Sequence, residues 1–219
     1  MFNIHRIAII CSAFSVATAF SPIAFATEGE KTITLQEDAA KAELIRLNVS
    51  AGDVEIVGTT GNSITAVVTA VCQQENRENC EQMLKDLAWS KKSGSITEVG
   101  LMPATINRYD HITVKVKIGV PKSKNLEVNL SAGELHLDGT SACLTANVNA
   151  GQINLHLKEI EIALAELSAK VGDVKLTTSK GTTEGNRSLL VGANLTWNGS
   201  GACHTKASVM AGEVHLTID

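Results

Sequence analysis

The chain has 219 residues, with 19 Lys and Arg against 23 Asp and Glu and a formal net charge of −4. The sequence contains no basic stripe that would suit a phosphate backbone, which excludes nucleic acid as a partner. Only 3% of the residues are aromatic. A compact enzyme of this size normally contains more rings, so stacked aliphatic side chains are expected to fill the core.

Residues 1–26 have the pattern of a secretory signal peptide. A cationic start at Arg6 precedes an apolar run, and Ala24-Phe25-Ala26 is a small-x-small cleavage site. Cleavage after Ala26 would leave an exported chain with 18 basic and 23 acidic residues and a charge of −5. A lipoprotein anchor is disfavoured because Cys11 lies early in the apolar run. The mature chain contains no run apolar enough to span a membrane.

Residues 27–125 predict an N-terminal β region that is continuous with the repeats that follow. The segments "KTITL", "ITAVVTAV" and "HITVKVKIGVP" read as strands. A polar insertion after the second strand places Cys80, Leu84 and Leu87 on one helical face, which predicts a short amphipathic helix at about 77–87. We expect this helix to cover the first rung of the repeats.

A short phrase centred on glycine recurs along the chain, first as "VSAGDVEI" and then repeatedly within residues 126–219. Apolar residues occupy the third and first positions before the glycine and the second and fourth positions after it. This alternation predicts two short strands with one buried face and a kink between them, where a residue without a Cβ takes positive φ at little cost. The predicted corner residues are Gly52, Gly133, Gly151, Gly172 and Gly212.

The spacing of the corner glycines indicates a solenoid. From Gly133 the glycine returns after 18, 21 and 40 residues, and Gly192 divides the last interval as a degenerate copy. About five buried aliphatics contribute on the order of 10 kcal/mol, whereas ordering about 20 residues costs roughly 30 kcal/mol, so a rung is stable only within a stack. The predicted fold is all-β, a parallel β-helix or β-solenoid of single-sheeted rungs with Gly-cornered repeats of 18–21 residues and one short inserted helix.

Two segments of the sequence resemble a known family. "RLNVSAGDVEIVG", followed by "ITVKVKIGVPKSKNLEVNLSAGELHLDG", resembles the bacterial "putative adhesin" family, and the likeness covers nearly all of residues 32–219. The resemblance implies an exported β-solenoid domain of otherwise unknown function, in the periplasm or outside the cell. It implies no catalytic or binding residue. The function predicted is a non-catalytic binding or structural role in the cell envelope, with an envelope protein or a glycan as partner.

No catalytic residue, cofactor or metal site is predicted. Cys203 and His204 are adjacent, but neighbours on a strand point to opposite faces, so the imidazole is not expected to activate the thiol. His136 and His215 are predicted to lie four rungs apart, about 19 Å at the ladder spacing, which is too far to share a metal.

Within residues 126–219, three acids directly follow corner glycines and would be the start of a calcium ladder: Glu134, Asp173 and Glu213. Gln152 and Ala193 interrupt that ladder, so a solvated face is favoured. The alternative function is a β-helix enzyme acting on polysaccharide, which needs clustered acids or an Arg/Lys group. Arg187 is the only arginine after residue 126, which disfavours such an enzyme. Three carboxylates or bases within about 7 Å of one another in a cleft would favour it, and a smooth face would exclude it.

Four cysteines remain after cleavage, an even number in an oxidising compartment. Cys72 and Cys80 flank the polar insertion and are predicted to form a disulfide if the chain turns between the strand and the helix. Cys143 and Cys203 are predicted to lie three rungs apart and on opposite faces. A bond between them is therefore not expected.

The last repeat ends at the C-terminus, which predicts an uncovered terminal rung with unpaired backbone groups. A second copy or an envelope partner supplying a strand is the expected occupant of this edge. The predicted pairing edge consists of Glu213, Val214, His215, Leu216, Thr217 and Ile218. The alternative is that the polar side chains around this edge, including Asp219, discourage pairing.

Overall fold

The computed structural model describes residues 25–27, 29–73, 77–105, 109, 111–141, 143–188 and 191–219. The predicted signal segment lies outside these ranges except for its last two residues. No helix in these ranges is long and apolar enough to cross a membrane. The strands are β1 (Phe25–Thr27), β2 (Glu30–Asp38), β3 (Leu44–Thr59), β4 (Ser63–Cys72), β5 (Ala88–Lys92), β6 (Ile96–Met102), β7 (Ile112–Pro121), β8 (Asn125–Asp138), β9 (Leu144–Leu157), β10 (Ile162–Thr178), β11 (Gly181–Glu184), β12 (Asn186–Ser188), β13 (Gly192–Asn198) and β14 (Cys203–Ile218).

One helix, α1 (Arg77–Asp86), interrupts the strands of the described chain. The predictions of an all-β fold and of one short inserted helix are therefore confirmed. The helix packs against β4, which lies in the antiparallel N-terminal part of the sheet and not among the glycine-centred strands. Lys31 donates from Nζ to the carbonyl oxygens of Leu84 (2.7 Å) and Leu87 (2.9 Å), and so satisfies acceptors at the end of the helix.

All strands belong to one sheet, and the five glycine-centred strands lie side by side in parallel. Their order is β3, β8, β9, β14 and β10, with glycine opposite glycine throughout. The C-terminal strand β14 is thus inserted between β9 and β10. The predicted succession of rungs in chain order is wrong, because any two of these similar strands can pair in the same register.

The five corner glycines have φ between 128° and 138°. Their backbones touch, since a Cβ on Gly151 would lie 1.8 Å from the carbonyl oxygen of Gly133. At this column the sheet bends. The strand segments before the glycines form the first half of the sheet and those after the glycines form the second half, and the two halves have different neighbouring strands. The first half of β3 pairs with β6 and the second half with β7. The first half of β10 pairs with β13 and the second half with β11.

Aliphatic side chains from both halves of the bent sheet form one core. The residues predicted to point inward three positions before and two and four positions after each glycine are buried, for example Val148, Ile153 and Leu155. The residue just before the glycine is not, because the bend already turns it outward. Ala150 is exposed, and Val171 is 53% exposed.

The strand order corrects two predictions about single residues. Gly192 is not a rung corner, because it begins β13, which pairs antiparallel with β10. Cys143 and Cys203 form a disulfide with a Cα–Cα distance of 4.5 Å. Cys203 begins β14, and Cys143 directly precedes the adjacent strand β9, in the turn before it, where the alternation of faces does not apply.

The predicted C-terminal pairing edge is also wrong. β14 pairs with β9 on one side and with β10 on the other. The residues paired on both sides include Glu213, Val214, His215, Leu216 and Thr217, and Ile218 pairs with β9, so this segment is not an open edge. The edges of the sheet belong to shorter strands: β5 and β12 at the two ends of the first half, β1 and β11 at those of the second.

Candidate functional site

The outer face of the first half of the sheet carries a row of small uncharged side chains that crosses nine strands. Each member lies opposite the next in the strand register. We call this set the amide row. It consists, in spatial order, of Ser90, Gly100, Asn48, Asn129, Asn147, Ser208, Ser168, Asn194 and Asn186.

Hydrogen bonds link the middle of the amide row. Ser208 donates from Oγ to Asn147 Oδ1 (2.8 Å), Asn147 donates from Nδ2 to Asn129 Oδ1 (3.0 Å), and Asn129 donates from Nδ2 to Asn48 Oδ1 (3.1 Å). Such a ladder stabilises the stacked strands. Each Asn side chain has two N–H donors and two acceptor positions, so the ladder leaves part of this capacity for a partner.

A groove of about 450 Å³ lies at the Asn48 end of the amide row. It forms above Gly100, which has no side chain between Asn48 and Ser90. Met102, which is 41% exposed, lines it together with charged residues of the neighbouring row. Its size is within the range of small-molecule sites, about 300–1,000 Å³. We call it the Asn48 groove.

The outer face of the second half of the sheet combines histidines with acids. His136 Nε2 lies 3.3 Å from Glu134 Oε2 and 4.0 Å from Asp53 Oδ1. His215 Nε2 lies 3.1 Å from Glu213 Oε2. We call the surface around these pairs the acid–histidine face. His136 and His215 are two strands apart on it, about 10 Å at the ladder spacing, so the predicted separation of four rungs is wrong.

The acid–histidine face is where the alternative of a β-helix enzyme, and the presence of a metal site, can be examined. His136 and its two acids do converge, so this face is not the smooth surface that would exclude an enzyme. His136 and Asp53 line an open groove of about 490 Å³. The side chains of His136 and its two acids are, however, 44–59% exposed, whereas catalytic acids and bases are usually tuned by burial. Within the described ranges, no group of three or more His, Cys, Asp or Glu is arranged to hold a metal ion.

The other residues named in the sequence analysis, the corner glycines and the cysteines, lie within the sheet or in disulfides. The corner glycines lie inside the sheet. The structure joins Cys72 to Cys80 with a Cα–Cα distance of 5.7 Å, which ties α1 to β4. Cys203 is in a disulfide and so has no thiol for His204 to activate. His204 contacts Glu166 instead, at 2.8 Å between Nε2 and Oε2.

The sequence interpretation missed the amide row, although a signal for it exists. The fourth residue before each corner glycine is Asn or Ser in all five phrases: Asn48, Asn129, Asn147, Ser168 and Ser208. That position is outward, because it lies one residue from the buried third position. The remaining members come from β5, β6, β12 and β13, which contain no such phrase and gave no signal.

Comparisons with known proteins agree with this fold. The sequence model of one family, described as Toastrack DUF4097, matches residues 42–187. No curated protein matches the chain.

The solved structures that are similar to the chain include the following three. A "putative cell adhesion protein" from Clostridium sporogenes is 12% identical with a TM-score of 0.48, over 87% of this chain and 100% of that one. A "putative adhesin" from Parabacteroides distasonis is 12% identical with a TM-score of 0.27, over 58% and 60%. A "putative lipid binding protein" from the same species is 10% identical with a TM-score of 0.26, over 58% and 52%.

Proposed function

The chain belongs to the Toastrack DUF4097 family, and from that premise we propose that it is an exported, non-catalytic binding or structural protein of the cell envelope. The amide row is its contact surface. The protein acts in the periplasm or outside the cell, after cleavage behind residue 26, which removes Phe25 and Ala26 of β1 and leaves β2 as that edge of the sheet.

The observation that carries this proposal is the absence of charge along nine neighbouring positions of one outer face. Solvated sheet faces usually carry charged residues, and the adjacent row does, with Arg46, Glu98 and Glu127. A row of amides and hydroxyls instead offers donors and acceptors to a neutral polar partner with little desolvation of charge.

Two disulfides support export, because such bonds persist in oxidising compartments. They also stiffen the surface. Cys143–Cys203 joins the starts of β9 and β14, the strands that hold Asn147 and Ser208 in the middle of the row. A preorganised face loses less conformational entropy when it binds.

A binding experiment with one variant on each face tests the role of the amide row. Asn147→Lys puts a charge into the middle of the row, and Asn154→Lys makes the same change on the acid–histidine face. The purified mature protein is sedimented with washed cell-envelope material. We expect the wild type and Asn154→Lys to be retained and Asn147→Lys to be lost, with all three melting cooperatively. Equal retention of the two variants, or no retention of the wild type, would refute the proposal.

A further inference from the structure

One carboxylate fixes the direction of the hydrogen bonds along the amide row. Glu127 is ion-paired with Arg46 (Oε2–Nη2, 3.0 Å), and this contact lowers the pKa of its carboxyl. The carboxylate therefore only accepts hydrogen bonds. Asn129 Nδ2 lies 3.2 Å from Glu127 Oε1, so the amide nitrogen of Asn129 must be on that side and its oxygen must face Asn147.

The orientation of the Asn129 amide determines that of the Asn48 amide, which is the last in the series of hydrogen bonds. Asn48 Oδ1 accepts from Asn129 Nδ2, so the amide nitrogen of Asn48 lies on the side away from β8, where β6 has Gly100. Within the part of the chain that the structure describes, Asn48 Nδ2 donates to no acceptor. Linked amides polarise one another, which strengthens the terminal donor.

The Asn48 groove supplies two further features around this donor. Ser90 donates from Oγ to the carbonyl oxygen of Gly100 (3.1 Å), which leaves the hydroxyl oxygen able to accept a hydrogen bond. Met102 and Ala104 provide an apolar wall. The groove thus presents a donor, an acceptor and an apolar surface within one site of about 450 Å³.

We propose that the Asn48 groove binds the acetamido group of a linear N-acetylated glycan, whose sugars continue along the amide row. The carbonyl oxygen of the ligand accepts from Asn48 Nδ2, its N–H donates to Ser90 Oγ, and its methyl group packs against Met102. This inference rests on the proposed function and names the ligand class for the same surface.

The repeat distance favours a glycan over an extended peptide. Strands lie about 4.8 Å apart, whereas an extended peptide advances about 3.3 Å per residue, so a peptide lying across the strands would leave register within a few residues. An extended β-linked hexose polymer advances by one pyranose length per sugar, which is close to the strand spacing of about 4.8 Å. An extended peptide is moreover typically recognised when it adds as a strand to an exposed sheet edge through main-chain bonds, and a sheet face offers no such bonds.

Titration with defined oligosaccharides tests the inference. The probe is the tetramer of β-linked N-acetylglucosamine, and cellotetraose, which has hydroxyls in place of the acetamido groups, is the ligand control. Binding is measured by calorimetry and by the side-chain amide resonances of the intact mature protein. Two variants change the groove. Asn48→Asp replaces the donor, and Gly100→Ala fills the floor, because a Cβ there would lie 2.8 Å from Ser90 Oγ. Gly94→Ala is the matched control, since its Cβ would make only ordinary contacts, at 3.5 Å or more.

We expect the N-acetylated tetramer to bind and to shift the Asn48 amide resonances, and cellotetraose to bind at least about tenfold more weakly. Asn48→Asp and Gly100→Ala should each lose at least about tenfold in affinity, and Gly94→Ala should keep it. Absence of binding, equal binding of both sugars, or wild-type affinity in both groove variants would overturn the inference. If envelope material still retains the wild type and not Asn147→Lys, only the ligand class is wrong; if it retains neither, the proposed function also fails.

Discussion

The corner glycines allow the most direct test of the fold, by substituting Gly133 with alanine. Gly133 has φ +128°, and a Cβ there would lie 2.0 Å from the carbonyl oxygen of Gly52 on the neighbouring strand. Backbone conformations that are almost restricted to glycine cost about 1–3 kcal/mol in other residues. The contact adds to this cost, because the atom that must move belongs to the backbone of β3 and not to a flexible side chain.

Gly181 separates the two contributions. It has φ +126°, nearly the same as Gly133, but a Cβ there would meet nothing within 4 Å. Gly181→Ala should therefore cost no more than the conformational term, about 1–3 kcal/mol. Gly133→Ala should cost clearly more, because β3 and β8 must separate locally and lose hydrogen bonds of about 0.5–1.5 kcal/mol each.

Urea unfolding of the disulfide-bonded protein measures both costs. In a thermal melt of the same variants, each kcal/mol lost from the free energy of unfolding lowers Tm by roughly 2–4 °C in a domain of this size. We expect the order of stability to be wild type, Gly181→Ala, Gly133→Ala, with the larger step between the two variants. If Gly133→Ala were no less stable than Gly181→Ala, the reasoning about stacked backbones at the corner column would be wrong.

Two further predictions concern cross-links and charge. The Cys143–Cys203 bond spans 60 residues and the Cys72–Cys80 bond spans 8. Replacing both cysteines of a pair by serine should therefore lower the free energy of unfolding by about 4 kcal/mol for the first pair and by about 2.5 kcal/mol for the second. Equal losses of stability, or a non-reduced peptide map without the Cys143–Cys203 link, would contradict this. Hydrogen bonds from Lys91 and Ser93 hold the pKa of Glu37 below its usual 4.5, so this carboxylate stabilises the fold above that pH and the effect is lost as pH falls through the lowered value. The Tm difference between wild type and Glu37→Gln should therefore shrink from pH 7 to pH 3, and a constant difference would refute the assignment.

The bent strands could be predicted from the sequence because their cause is local. Apolar residues at fixed offsets from Gly133 and Gly151 require two strands whose buried faces change parity at the glycine. The same local logic failed for Ala150 and Val171, the residues just before a glycine. There the bend takes more than one residue, and alternation does not describe a residue within it.

The order of the strands could not be predicted, because it depends on which of several equivalent partners meet. The phrases around Gly151, Gly172 and Gly212 are interchangeable in pairing register, and their spacing along the chain says nothing about which lie side by side. Two features outside the phrases fit the observed order. The β12–β13 hairpin occupies one side of the first half of β10 and leaves the other side to β14, and the disulfide between Cys143 and Cys203 holds β14 beside β9. The sequence alone identified neither the Cys143–Cys203 bond nor the β12–β13 hairpin, so neither could be used to predict the order.

The inserted strand β14 also connects the fold to the proposed function. Because β14 lies between β9 and β10, Ser208 donates to Asn147 and continues the ladder from Asn129 toward Ser168. The strand that was expected to be an open edge for a partner instead lies inside the sheet, with a neighbouring strand on each side. A partner that contacts β14 therefore meets side chains and not open backbone groups. The uncharged donors and acceptors of the amide row, which we propose as the contact surface, cross β14 at Ser208.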